Sequence, residues 1–309
     1  MAVAVEPAAG NEAIGVVSPG WRSSVTLERG SRVVLADSGP PGRPVTVVAL
    51  PGWKGADVGL RTLVSHTVTS GYRVVTLNLP GLGGSDGGPR LDRGLDELAA
   101  LVEELVGRLG TPEPVVLVGH SFGATIATAV AARRLVPVRG LVLVSPVVVP
   151  PAGRSGTAAR ASMACIRVFA GVLAGAPPRL AAAVVRSSVL EDVANVFLTR
   201  HGPSGFRRIR AEAAPERHLA VDPRAAADQL RVATLHGCLE SAPDISVPTW
   251  IVAGDRDPLS PREELAHLCS ALAAGRLALL PGAGHLAHQE DADAMSLLLA
   301  DCVADLATR

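Results

Sequence analysis

Residues 115–123, VVLVGHSFG, limit the folds open to this chain more than any other stretch. A β-branched apolar run passes without a spacer into Gly119, His120, Ser121, Phe122 and Gly123, and then into the helix-forming segment ATIATAVAARRL. The backbone must therefore turn from strand to helix within a few residues, with Ser121 at the apex. So sharp a turn strains the serine backbone and brings neighbouring backbone close, and Gly119 and Gly123 leave out the side chains that would clash there. Ser121 is lifted above the end of a sheet, where its hydroxyl can meet a base. The N–H of Phe122, at the start of the helix, points to where negative charge would develop.

The surrounding sequence supplies the sheet. Residues 24–39 alternate apolar and polar around Arg29, Gly30 and Ser31, which predicts an antiparallel hairpin at one edge. Continuous apolar runs at 45–50, 72–79, 140–146, 248–254 and 276–282 predict strands covered on both faces. Helical segments at 57–69, 91–109, from 261 and at 291–306 separate them, so the sheet is mostly parallel and doubly wound. Between residues 147 and 240 the rhythm changes to Ala/Arg/Val/Leu segments broken at Pro177-Pro178, His201-Gly202-Pro203, Pro215 and Pro223. This predicts an all-helical insertion at 147–240 after the sixth strand, a core formed by 21–146 and 241–309, and an Ala/Pro/Gly-rich arm of poor order over 1–20.

Three further features bound the chemistry. With 29 basic and 29 acidic residues, the charge balance points to neither nucleic acid nor an anionic membrane as partner. Cys165, Cys238, Cys269 and Cys302 form no C-x-x-C pair and read as small buried hydrophobes, and the histidines show no metal-ligand spacing, so no metal or cofactor is expected. The first residues lack the basic and apolar regions of a signal peptide, and no segment has 18 apolar residues in a row, which predicts a soluble cytoplasmic protein.

A serine hydroxyl is a weak nucleophile at neutral pH and needs a base held by a carboxylate. Two later strands end in suitable residues: the first opens into Asp255 and Asp257, the second into His285. Loops at the carboxyl ends of parallel strands share one crevice, so Ser121, one of the two aspartates and His285 are expected to converge although most of the chain separates them.

Taken together, LPGW (50–53), NLPGLGGSDG (78–87), GHSFG (119–123), GDRDPLSP (254–261) and PGAGHLAHQED (281–291) resemble the lid-bearing serine-hydrolase type of the α/β-hydrolase superfamily. The resemblance implies an α/β-hydrolase fold in which 147–240 is the lid and GHSFG is the nucleophile elbow. It places the acid at Asp257 rather than Asp255, the base at His285 rather than His288, and a second oxyanion donor at the backbone N–H of Trp53 beside that of Phe122. Pro51 stands where many relatives have histidine, and Asn78 where many have aspartate. Ser85 and Asp86 are assigned no chemistry, and His120 is expected to pack beside the elbow.

These residues point to a serine hydrolase that cleaves an ester, thioester or related acyl bond of a small, largely apolar substrate, the acyl group free or carried by a partner protein. An alternative keeps the site but runs acyl transfer, or an elimination or lyase step in secondary metabolism; a third reading is a catalytically silent ligand-binding protein. Aromatic residues make up only 3% of the chain, so the pocket wall is expected to be aliphatic, with Trp53, Phe122, Phe169, Phe197 and Phe206 as its candidate aromatic members. Arginines outnumber acidic residues in the insertion, and Arg207, Arg208 and Arg210 are candidates for attracting an anionic group. The sequence leaves the oligomeric state open.

Overall fold

The computed structural model describes residues 21–28, 30–87, 94–200, 202–212 and 219–309. The arm expected over 1–20, together with Arg29, His201, Pro215 and His218, lies outside the described residues.

The strands are β1 (Trp21–Thr26), β2 (Arg32–Ser38), β3 (Thr46–Leu50), β4 (Arg73–Leu77), β5 (Val115–His120), β6 (Val138–Val144), β7 (Thr249–Gly254) and β8 (Gly275–Leu280). They form one eight-stranded sheet in the order β1-β2-β4-β3-β5-β6-β7-β8. The pairs β1–β2 and β2–β4 are antiparallel, which places the expected hairpin at one edge, and every pairing from β4 to β8 is parallel. The continuous apolar runs have the predicted physical cause: β3, β4 and β5 are buried along their whole length, with successive side chains entering opposite cores. Val47, Ala49, Val116 and Val118 enter one core, whereas Val48, Leu50, Val115 and Leu117 enter the other.

Helices cover both faces. On one side α1 (Arg61–Thr69), extended at its start by a 3-10 turn over Asp57–Leu60, packs along α12 (Ala292–Thr308). Leu63, Val64, Leu299 and Val303 close the core there. On the other side α2 (Leu95–Arg108) lies against α3 (Phe122–Arg133), and α10 (Arg262–Ala271) against β8.

Between β6 and β7 the chain forms α4 (Thr157–Gly175), α5 (Pro178–Val185), α6 (Ser188–Leu198), α7 (Gly202–Glu212), α8 (Pro223–Leu235) and the short α9 (Cys238–Ser241). The breaks at Pro177-Pro178, at Gly202 and before Pro223 match the sequence signals. The break between α5 and α6, at Arg186 and Ser187, has neither proline nor glycine and was not foreseen. These helices have a small core of their own, from Leu173, Val185, Ala226 and Ala227. An antiparallel bridge between Leu82 and Val221 joins them to the loop after β4, as does the Gln229 side chain, which donates to the Pro80 carbonyl at 2.7 Å. A further short helix, α11 (Ala287–Glu290), follows the loop after β8. Among the described residues, no helix is long and apolar enough to cross a membrane.

Candidate active site

Ser121 adopts φ 52° and ψ −114° between the end of β5 and the first residue of α3. For a residue with a side chain this left-handed conformation is costly, about 1–3 kcal/mol, and it persists because the strand and helix on either side hold it. The two glycines have the expected reason. A Cβ on Gly119 would lie 2.5 Å from the backbone N of Ala124, and one on Gly123 would lie 2.6 Å from the carbonyl oxygen of Pro51.

The strained turn lifts the Ser121 hydroxyl toward the loop after β8. Oγ of Ser121 is 2.9 Å from Nε2 of His285, and Nδ1 of His285 is 2.8 Å from Oδ2 of Asp257. A carboxylate only accepts, so the ring proton belongs on Nδ1 and Nε2 is left to accept from the hydroxyl. Both Asp257 and His285 are buried. The other oxygen of Asp257 accepts the N–H groups of Leu259 (2.8 Å) and Ser260 (3.2 Å), which fixes its orientation, and the Ser260 hydroxyl in turn donates to the Pro146 carbonyl. Asp255 does something else. It is exposed, and its Oδ1 accepts the N–H of Gly282 at 2.6 Å, bracing the turn after β8.

Trp53 follows β3 at the same end of the sheet. Its indole donates to the Ala226 carbonyl of α8 at 2.9 Å and meets Phe169 of α4 edge-on at 6.2 Å, so the loop carrying its backbone N–H is tied to the helical insertion. As the first residue of α3, Phe122 has no carbonyl one turn earlier in the helix for its own N–H. Asn78, which replaces the more usual aspartate, accepts the N–H of Asp57 at 2.6 Å and donates to the Gly83 carbonyl at 3.3 Å. Ser85 and Asp86 are structural as expected: the Ser85 hydroxyl accepts from Val34 and donates to Asn78, and Asp86 accepts the N–H of Arg32.

A cavity of about 610 Å³ opens beside these residues, its wall built by the Trp53 loop, Leu82, Ile166, Phe169, Val185 and Leu198. Of the candidate aromatic members, Trp53 and Phe169 line it; Phe122 is buried beneath the site, Phe197 faces outward, and Phe206 is not part of the wall. The reading of four buried thiols holds for Cys238 and Cys302 but not for Cys269, which is half-buried, nor for Cys165, which is exposed and borders the cavity. Among the arginines of the insertion, Arg208 donates to the Glu290 carbonyl and Arg210 pairs with Asp192 at 3.4 Å, while Arg207 is exposed.

Two features, Glu290 and His288, had no sequence signal, whereas His120 packs beside the elbow as expected. The buried Glu290 carboxylate accepts the N–H of Gly284 at 2.8 Å and that of Arg200 at 2.9 Å, joining the loop that carries His285 to the end of α6. His120 and His288 pack beside His285, their rings tilted by 55° with centroids 4.1 Å apart, and both are buried. Burial, reinforced by the neighbouring rings of His288 and His285, holds the His120 pKa well below the ordinary histidine value, against a smaller opposing pull from the His285 backbone. Burial and the His285 ring push His288 down to about 3. Both rings are thus neutral beside the site at physiological pH. Among the described residues no group of side chains has the arrangement of a metal site.

Residues 47–296 match the family model described as the alpha/beta hydrolase family. Over 253 residues the chain is 30% identical to the polyketide synthase ThaQ of Burkholderia thailandensis, a match that takes in 81% of this chain and 11% of that much longer protein. Similar solved structures include a thermophilic esterase from Thermogutta terrifontis, at TM-score 0.71 and 21% identity over 93% of this chain and 99% of that one. Another is the enol-lactonase of Burkholderia xenovorans LB400, at TM-score 0.72 and 18% identity over 93% and 100% of the two chains. A third is an esterase from Exiguobacterium antarcticum, at TM-score 0.72 and 19% identity over 91% and 99%.

Proposed function

Because the chain belongs to the alpha/beta hydrolase family, we propose that it is a serine hydrolase acting on an ester or thioester of a largely apolar acyl group through an acyl-enzyme. The observation that carries this reading is the His285 ring, which spans the Ser121 hydroxyl and the Asp257 carboxylate at 2.9 and 2.8 Å. His285 Nε2 takes the Ser121 proton as Oγ bonds to the acyl carbon, and the Asp257 carboxylate stabilises the imidazolium. The oxyanion sits between the N–H groups of Trp53 and Phe122, each donor contributing about 10²–10³ in rate. His285 then protonates the leaving alcohol or thiol, and water, deprotonated by the same ring, releases the acid and restores Ser121.

The aliphatic wall suits an acyl chain better than a sugar or nucleotide. The likeness to a stretch of a polyketide synthase favours a carrier-bound acyl thioester in secondary metabolism as the form in which the substrate arrives, in the cytoplasm.

The test is intact-protein mass after brief exposure to a fluorophosphonate, alongside turnover of short and medium acyl p-nitrophenyl esters, in wild type and Ser121→Ala. One adduct and measurable turnover in wild type, both absent in the variant, are the expected result. A folded wild-type protein that gives neither overturns the hydrolase reading in favour of an eliminating enzyme or a binding protein.

A further inference from the structure

One face of α6 runs along the cavity from one half of the site to the other. Glu191, Asn195 and Leu198 all line it, at the i, i+4 and i+7 spacing of a single helical stripe. At the Glu191 end, the carboxylate lies 4.0 Å from Nζ of Lys54, the only lysine of the chain and the residue after Trp53. Lys54 is held at φ 65°, a left-handed conformation that usually belongs to glycine. At the Leu198 end, the backbone carbonyl accepts the N–H of His285 at 2.9 Å.

Asn195 lies between these two anchors, about 6 Å along the helix axis from Glu191 and about 4.5 Å from Leu198. It therefore sits over the interval between the oxyanion loop and the base. The residue is 7% exposed, and among the described residues its side-chain amide has no hydrogen-bond partner. Neither Oδ1 nor Nδ2 is a fully buried atom without a partner, so the amide reaches the cavity, where a bound ligand must replace the hydrogen bonds it makes to water. His120 and His288 line the same cavity, and each has a buried ring nitrogen, Nε2 and Nδ1 respectively, without a partner among the described residues.

We propose that Asn195 is a substrate-contacting specificity residue that hydrogen-bonds an oxygen function close to the scissile carbonyl, making β-hydroxy- and β-keto-acyl esters or thioesters the preferred substrates over plain acyl chains. This rests on Ser121 being the nucleophile. An amide serves both oxygenation states: its N–H₂ donates to a ketone or hydroxyl oxygen, and its carbonyl accepts from a hydroxyl. A plain chain leaves the amide unpaired, and discrimination by a buried polar group is correspondingly large.

The experiment compares butyryl, 3-oxobutyryl and both enantiomers of 3-hydroxybutyryl N-acetylcysteamine thioesters in wild type and Asn195→Leu. The readout is the ratio of kcat/KM for each oxygenated substrate to that for butyryl, which is expected to be about tenfold or more in wild type and to fall near one in the variant. A wild-type ratio near one, or a preference that survives Asn195→Leu, overturns the proposal. Calorimetry on Ser121→Ala, with and without Asn195→Leu, provides a readout independent of turnover. Tighter binding of 3-hydroxybutyrate than of butyrate, lost with Asn195, upholds the subsite even if no thioester is cleaved, and equal binding overturns it. Should Asn195→Leu not fold, the wild-type ratio and the acid binding of Ser121→Ala alone decide.

Discussion

The carbonyl of Leu198 accepts the backbone N–H of His285 at 2.9 Å, so the last turn of α6 is bonded directly to the loop whose imidazole meets Ser121. A helix remote in sequence thus sets the height of the His285 ring above the Ser121 hydroxyl. Glu290 reinforces the junction from the other side, one carboxylate oxygen on Gly284 and the other on Arg200.

Glu290→Gln replaces one acceptor oxygen by an N–H₂ that faces a donor. The site is fully buried, so the expected loss is about 1–3 kcal/mol in chemical denaturation. The His285 loop is also released from its register, and kcat should fall by about 10²-fold, since small displacements of a reacting group are costly. A variant with the stability loss but wild-type kcat would show that the loop holds its position without the carboxylate.

The two aspartates after β7 separate cleanly in a second test. Asp257→Asn removes the charge beside His285 Nδ1 and favours the wrong tautomer, with an expected fall in kcat of about 10⁴ in a folded protein. Asp255→Asn weakens only the contact to Gly282, so ester turnover should stay within a few-fold and stability should drop by about 1 kcal/mol. Steady-state kinetics beside a thermal melt checks both, and equal losses from the two substitutions would defeat the assignment of the acid.

The sheet was legible because β3, β4 and β5 are buried on both faces and therefore read as unbroken apolar runs, each closed by a turn residue. Ser121, His285 and the loop of Asp255 and Asp257 were expected to meet for a related reason, since parallel strands deliver their carboxyl ends to one crevice, whereas the choice of Asp257 came from the family resemblance alone. The functions of Glu290 and Asn195 depend instead on how α6 docks against the β8 loop, a tertiary contact that no periodicity encodes. The same limit explains Phe197, a candidate for the wall that the rotation of α6 turns outward. It also explains the α5–α6 break, which forms where packing rather than proline or glycine stops the helix.

Gly123 offers a test of packing without chemistry. Its φ is not left-handed, so alanine would be tolerated but for two carbonyl oxygens in the way of the new Cβ, that of Leu50 and, at 2.6 Å, that of Pro51. Either α3 or the loop after β3 must move, at an expected cost of about 3 kcal/mol. Because that loop carries Trp53, fluorophosphonate labelling of Ser121 should slow as well. Unchanged stability would mean that the elbow has more room than its geometry shows.

The neutral histidines give the protein an acid limb with a definite sign. His288 is pushed to about 3 in the folded chain against an ordinary value of 6.5, with His120 shifted in the same direction. Above pH 6.5 both rings are neutral folded or unfolded, and their contribution is constant. As the pH falls below 6.5, the unfolded chain binds protons that the folded chain refuses, so stability is lost progressively down to about pH 3. Each such ring adds about 1.4 kcal/mol per pH unit to the slope in that window. Urea denaturation of wild type and His288→Asn between pH 4 and pH 8 should therefore show parallel plateaus near neutrality. On the acid side, the variant should have a limb shallower by about that amount. An identical slope in the two proteins would mean that the folded site accepts a proton on His288 readily, and that the ring pair beside His285 is not held neutral.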